Sequence, residues 1–214
     1  IALAKGLAPK ALEHYQFALA AEPTHIPALE GLAKWARLTG DSTKAEQALR
    51  SGTRHAPRAW RTWHNLGVFF LEEGRVKDAL DALETSLGLA SADETAPLIA
   101  LITALLQDGQ SGSALLRSEQ LTKLAPKQGL AWFLRGRSHF ELNRLNEAEE
   151  DFRKAVLIDA DLIEARSGIG LVRATQGDND SAIRIFRDIL KRDPENMAAR
   201  ENLRRLGTIE APTP

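Results

Sequence analysis

No cysteine occurs in the chain, and that absence removes disulfides, thiolate metal sites and a cysteine nucleophile together. Neither sign of charge is in excess: 28 basic and 29 acidic side chains leave a net charge of -1, so nothing global favours nucleic acid or an anionic membrane as partner. No apolar run approaches the roughly 18 to 20 residues that span a bilayer, which argues against direct membrane insertion. The opening Ile1-Ala-Leu-Ala-Lys-Gly6 lacks the basic flank and apolar stretch of a signal peptide. It also lacks an initiator Met, and it begins partway through a repeat. It therefore reads as a fragment of a longer protein, and any targeting signals would lie outside it. Cytoplasm and periplasm both stay open.

What the chain does have is a period. Ala11, Ala45, Ala79, Ala114, Ala148 and Ala182 are separated by 34, 34, 35, 34 and 34 residues. Gly6, Gly40, Gly74, Gly109, Asn143 and Gly177 keep the same beat five residues earlier. A period of this length is the mark of a repeat array in which each unit packs on its neighbours. The units are a partial one at 1–25, mainly its second helix, then 26–59, 60–93, 95–128, 129–162 and 163–196, with Glu94 as a single insertion.

Apolar residues recur at helical spacing on both sides of each glycine, as in Trp63, Leu66 and Phe70, then Ala79, Leu83 and Leu87. Two antiparallel helices per unit follow. The glycines, and Asn143, fall where a first helix must end in a left-handed conformation. Pro23, Pro57, Pro126 and Pro194 close second helices, and Ser91 and Ala160 provide softer stops in the other two. Ala33, Gly67, Gly136 and Gly170 face the periodic alanines, where only small side chains allow close backbone approach. Trp63, Trp132, Tyr15, Phe152 and Phe186 fill the space between hairpins. Residues 197–207 form an amphipathic capping helix that shields the last apolar surface, and 208–214 are expected to be a disordered tail.

The pattern Trp132…Gly136…Asn143…Ala148…Phe152…Ala155, followed by Gly170…Gly177…Ala182…Phe186…Pro194, resembles the tetratricopeptide repeat, and six units in register cover nearly the whole chain. Unit 95–128 departs most, with Ile102 where a small residue belongs, Ser118 in place of the aromatic and Leu121 in place of alanine. A shifted or loosened helix pairing is expected there. The resemblance implies an all-α, right-handed superhelical solenoid of antiparallel helix pairs. Its first helices would line a concave groove for an extended peptide or a partner's helix.

Carried over position by position, the groove residues implied by the resemblance are Glu30, Lys34 and Arg37; Arg61, His64, Asn65 and Val68; Ile99, Thr103 and Leu106. Leu130, Phe133, Leu134, Arg137 and Phe140, then Ser167, Leu171 and Thr175, continue the row. Residues 26–59 hold six Lys/Arg against three acids, and 60–93 hold three against six. The expected ligand is thus a peptide with acidic residues near Lys34, Arg37 and Arg61, and apolar anchors near Phe133 and Phe140. Two specialised grooves of the family are not supported. The carboxylate clamp of chaperone-tail binders finds no register, and the asparagine ladder of sugar-transferring relatives reads Gly31, Asn65, Ala100, Leu134, Gly168 and Asn202 here.

Catalytic patterns are missing. His14, His25, His55, His64 and His139 fall in different units and never show metal-ligand spacing. Glu147, Glu149, Glu150 and Asp151 read as the acidic start of a second helix, at the positive end of its dipole. Asp178-Asn-Asp180 is no calcium loop, because no glutamate follows at the required offset, and Gly168-Ile-Gly170 sits inside a helix rather than after a strand. The sequence thus points to a non-catalytic, cofactor-free scaffold for protein–protein interaction. The alternatives are a substrate-recruiting arm of a larger enzyme, or a self-association module pairing as a homodimer through Leu12, Tyr15 and Leu19. Nucleic acid is not expected, since the basic residues form no continuous phosphate track.

Overall fold

A computed structural model describes residues 2–207, with side chains from residue 10 onward. It is all helical: α1 (Ala2–Ala21), α2 (Ile26–Thr39), α3 (Ser42–His55), α4 (Trp60–Glu72), α5 (Val76–Leu89) and α6 (Ala96–Gln107) precede α7 (Ser111–Leu124). After it come α8 (Gly129–Glu141), α9 (Leu145–Ile158), α10 (Ile163–Thr175), α11 (Asn179–Arg192) and α12 (Met197–Arg205). No strand occurs among the described residues. The chain forms two compact units divided between Asp108 and Gly109. That division falls inside the repeat whose sequence departs most from the others. The expected tail at 208–214 lies outside the described residues.

The turns follow from backbone chemistry. Gly40, Gly74, Gly109 and Gly177 have φ of 81°, 73°, 75° and 84°, and Asn143 has φ of 57°. An L-residue with a β-carbon is disfavoured there, and Asn is the best-tolerated exception. Around four of these residues the next amide closes back on the helix, with Asp41 N to Ala36 O at 2.8 Å, Arg75 N to Phe70 O at 2.8 Å, Arg144 N to His139 O at 2.9 Å and Asp178 N to Arg173 O at 2.9 Å. Each bond satisfies a carbonyl the helix end would orphan. Gly6 is different: it lies inside α1, which runs unbroken from Ala2 to Ala21. Its place in the period therefore marks no turn.

Second helices end at His55, Leu124 and Arg192, two residues before Pro57, Pro126 and Pro194. α5 and α9 stop at the equivalent places without proline. At the stop of α9 the linking turn has the same hold as the proline turns. Trp63 Nε1 donates to Pro57 O and Trp132 Nε1 to Pro126 O, both at 2.9 Å, while the Arg166 guanidinium donates to Ala160 O at 3.0 and 3.1 Å and Arg200 to Pro194 O at 2.5 Å. In each case the next first helix reaches back six residues to hold the turn carbonyl. Tryptophan and arginine serve interchangeably, since both carry a long side chain ending in N–H.

The hairpin crossings are tight. Ala45, Ala79, Ala148 and Ala182 are fully buried. A β-carbon added at Gly67 would meet Leu83 Cγ at 2.5 Å, and one at Gly136 would meet Phe152 Cδ1 at 2.7 Å and the Ala148 carbonyl oxygen at 3.2 Å. At Gly170 the obstacle is Phe186 Cζ at 2.8 Å. Gly88, inside α5, has nothing within 4 Å. We therefore expect Gly136→Ala to destabilise the chain by about 1–3 kcal/mol through overpacking. Gly88→Ala, in open space, is expected to stabilise by about 0.5–1 kcal/mol through helix propensity. Urea denaturation midpoints of the two variants, shifting in opposite directions, check the assignment.

α6 is apolar nearly all round, with Leu101, Ile102 and Ala104 fully buried, as a helix without a polar face must be. Ser118, in place of an aromatic, is fully buried too. Its hydroxyl donates to Leu115 O at 2.8 Å, which removes the cost of burying it.

Candidate functional site

In the second unit, Phe133, Arg137 and Phe140 stand on one face of α8, their spacing of four and three residues being the helical repeat. Gly168 on α10 allows Phe152 of α9 to come close, since a β-carbon there would lie 2.7 Å from the Phe152 ring. The Phe133 and Phe152 rings are 6.0 Å apart and tilted. Leu171, one turn beyond Gly168, and Ile163 complete an apolar floor. The result is a recess of about 530 Å³ bounded also by Glu141, Glu164, Ser167, Asp193, Asn196 and Ala198. Phe133, Phe140, Ile163 and Leu171 are only partly buried, so other atoms can still cover them.

A second recess, of about 460 Å³, lies in the first unit among Glu30, Ala33, Lys34, Arg37, Leu38, Leu49, Asn65 and Glu72. Its charges are balanced and partly engaged: the Arg37 guanidinium is ion-paired with Glu72, and Asn65 Nδ2 donates to Glu30 Oε1 at 3.0 Å. Arg61 is exposed and lies over the Trp60 ring at 5.2 Å. Among the described residues, the basic floor expected for an acidic peptide is thus reduced to Lys34 as the cation in this recess without an ion pair.

The remaining sequence-predicted residues divide. Val68, Ile99, Thr103 and Leu130 are half-buried on their first helices. Leu106 and Leu134 are 8% and 3% exposed, and this corrects their assignment to a groove. Leu134 is one residue from Phe133, and the turn of about 100° between them carries it into the core. His64 is also half-buried. Its Nδ1 has no hydrogen-bond partner among the described residues, its ring packs edge-on to Trp60 at 5.9 Å, and burial pushes its pKa down against the opposing charge of Glu94. Leu12, Tyr15 and Leu19 are half-buried rather than open, with the Tyr15 ring seated on Gly31.

Sequence reasoning missed a buried polar network behind α8. Asp151, 3% exposed, accepts two hydrogen bonds from Arg135, at 2.5 and 2.8 Å, and its carboxylate lies 3.8 Å from His139 Nε2. Burial lowers the His139 pKa although Asp151 opposes it, and the hydrogen bond to Asp151 raises that of Arg135. The Arg135 guanidinium and the Lys154 ammonium lie over Trp132 at 4.5 and 3.5 Å. Glu149 is paired with Arg153 at 2.7 Å and Arg173 at 2.6 Å. The acidic start of α9 is thus less a solvated dipole partner than a set of inter-helix clamps. An Arg sixteen residues before an Asp carries no local signal, so only packing shows the pair.

Among the described residues no group of His, Asp and Glu could hold a metal ion, and no helix is long and apolar enough to cross a membrane.

The model of the tetratricopeptide repeat family matches residues 31–94, 99–162 and 168–203. The chain belongs to the tetratricopeptide repeat family. Within it, a curated relative, Protein O-mannosyl-transferase TMTC1 of Mus musculus, is 32% identical over 103 residues, covering 46% of this tetratricopeptide repeat chain but 11% of that protein. Among solved structures, the "APC/C hetero-tetramer Cut9-Hcn1" superposes with a TM-score of 0.76 at 18% identity, covering 95% of this chain and 40% of that one. A thermophilic tetratricopeptide repeat protein of Thermus thermophilus gives 0.72 at 16% identity over 86% and 100% of the two chains. YrrB, described as having an unusual peptide-binding site, gives 0.64 at 18% identity over 90% and 99%. The chain therefore spans a small part of the curated relative and two-fifths of the first of these structures. At these identities the structural likenesses establish the fold, and the tetratricopeptide repeats imply a protein-interaction scaffold.

Proposed function

We propose that the protein is a non-catalytic scaffold that captures a peptide or helix of a partner protein on the faces of its first helices. Phe133, Phe140 and Leu171 would provide the anchor sites, with Lys34, Arg37 and Asn65 as a second contact region. The observation that carries this reading is the recess of about 530 Å³, floored by the partly buried rings of Phe133 and Phe140. Two apolar side chains entering it would each contribute about 1.5–3 kcal/mol. Much of that is offset by the ordering of the ligand, so affinity in the micromolar range is expected for a short peptide. The description of YrrB as peptide-binding is consistent with this use of the fold.

Selection of displayed random peptides on the intact chain tests the proposal. Selected peptides are expected to lose at least about tenfold in affinity when Phe133→Ala removes one anchor contact, about 1.4 kcal/mol or more, with the thermal unfolding profile preserved. Peptides that bind Phe133→Ala and Phe140→Ala as tightly as the parent chain would show that the face is not the site. A second reading, favoured by the alignment with an O-mannosyl-transferase, is that the repeats recruit substrate for an enzyme domain elsewhere on a longer chain. The reading frame surrounding this segment decides between them.

A further inference from the structure

From the charges around the apolar recess of the second unit we infer that its ligand is a basic peptide segment, an apolar anchor flanked by Lys or Arg. The sequence suggests only apolar anchors at this recess, with the ligand's acidic residues near Lys34, Arg37 and Arg61 in the first unit. The inference rests on the proposal that this face binds peptides at all.

Three carboxylates, Glu141, Glu164 and Asp193, surround the floor, against the single guanidinium of Arg137. Glu141 and Glu164 form no ion pair among the described residues, and Asp193 takes only a neutral hydrogen bond, from Asn196 Nδ2 at 3.1 Å. Arg137 is turned over the Phe133 ring, 6.0 Å from its centroid, where it adds to the aromatic floor. The two buried carboxylates of α9 are paired inside the protein, Asp151 with Arg135 and Glu149 with Arg173 and Arg153. Here the negative charge is left over, and it surrounds apolar surface that a ligand would cover. Covering the floor excludes water and strengthens the attraction between these carboxylates and a flanking cation. The chain's own final residues, Thr208-Ile-Glu-Ala-Pro-Thr-Pro214, carry an acid and no base, so they do not match this occupant.

The test uses the intact chain and two short fluorescein-labelled synthetic peptides that share one Leu and Phe anchor pair and differ only in flanking Lys/Arg or Asp/Glu, read by fluorescence anisotropy. The basic peptide is expected to bind at least about tenfold more tightly than the acidic one, as three partly exposed charge contacts of a few-fold each allow. The gap is expected to narrow as salt rises. Glu141→Lys with Glu164→Lys should abolish or reverse the preference, and the milder Glu141→Gln with Glu164→Gln should reduce it. If both peptides bind equally, or the acidic one better, while Phe133→Ala still weakens both, the charge assignment is wrong and the groove stands. If Phe133→Ala and Phe140→Ala leave both affinities unchanged, the groove itself is wrong. Failure of both peptides to bind overturns both.

Discussion

Phe152→Ala is expected to lower the unfolding free energy by about 3–5 kcal/mol, the range for deleting a buried aromatic ring. The ring is 2% exposed and is held from both sides by absent side chains, those of Gly136 on α8 and Gly168 on α10. Collapse of α8 onto α9 is limited, because Gly136 already brings backbone to backbone: a β-carbon there would lie 3.2 Å from the Ala148 carbonyl oxygen. The void would therefore persist, which puts the cost toward the upper part of the range. Equilibrium unfolding in urea measures it. A loss below about 1 kcal/mol, the scale of a surface substitution, would mean that Phe152 is not the keystone of the second unit. Phe133→Ala, on a half-buried residue, is expected to cost markedly less stability, so the two variants separate folding from binding.

Asp151→Ala is the second large effect, expected at about 2–4 kcal/mol, somewhat less than the loss from breaking a fully buried pair. The carboxylate is almost entirely enclosed, but the Arg135 side chain is 26% exposed, so water can partly solvate the stranded guanidinium. Arg135 would keep its contact with the Trp132 ring and lose its bidentate partner, while His139 would lose Asp151, the stronger of the two carboxylates, with Glu147, that oppose its lowered pKa. The measurement is again urea denaturation, with Arg135→Met as a comparison. Removing the cation instead leaves Asp151 buried without its partner, so a comparable loss is expected. If both single variants were near neutral, the pair would be an adornment of the core rather than part of it.

The turns were legible in the sequence because their cause is local. Gly40, Gly74, Gly109, Asn143 and Gly177 adopt positive φ, and few residue types tolerate it. The crossings at Gly67, Gly136 and Gly170 were legible for a similar reason: steric exclusion at a fixed period leaves only small residues. Gly6 shows the limit of that argument. It keeps the beat yet lies within α1, since glycine permits a turn without requiring one. Leu106 and Leu134 show another limit. A family register assigns a residue to a helix face with an uncertainty of one position, and one position is about 100° of rotation, the difference between groove floor and core.

By itself, then, the sequence determined the helical repeat, its turns and the small residues at the crossings, since these depend on conformational preference and side-chain volume within a repeating unit. Only the tertiary structure decided which charges are spent on internal partners and which remain. Arg37 meets Glu72, Arg135 meets Asp151 and Arg173 meets Glu149 across helices, pairings that no local spacing encodes. Glu141 and Glu164 are left beside the recess of the second unit. Electrostatic attraction depends on distance in space and on exclusion of water, and both arise only when the helices pack.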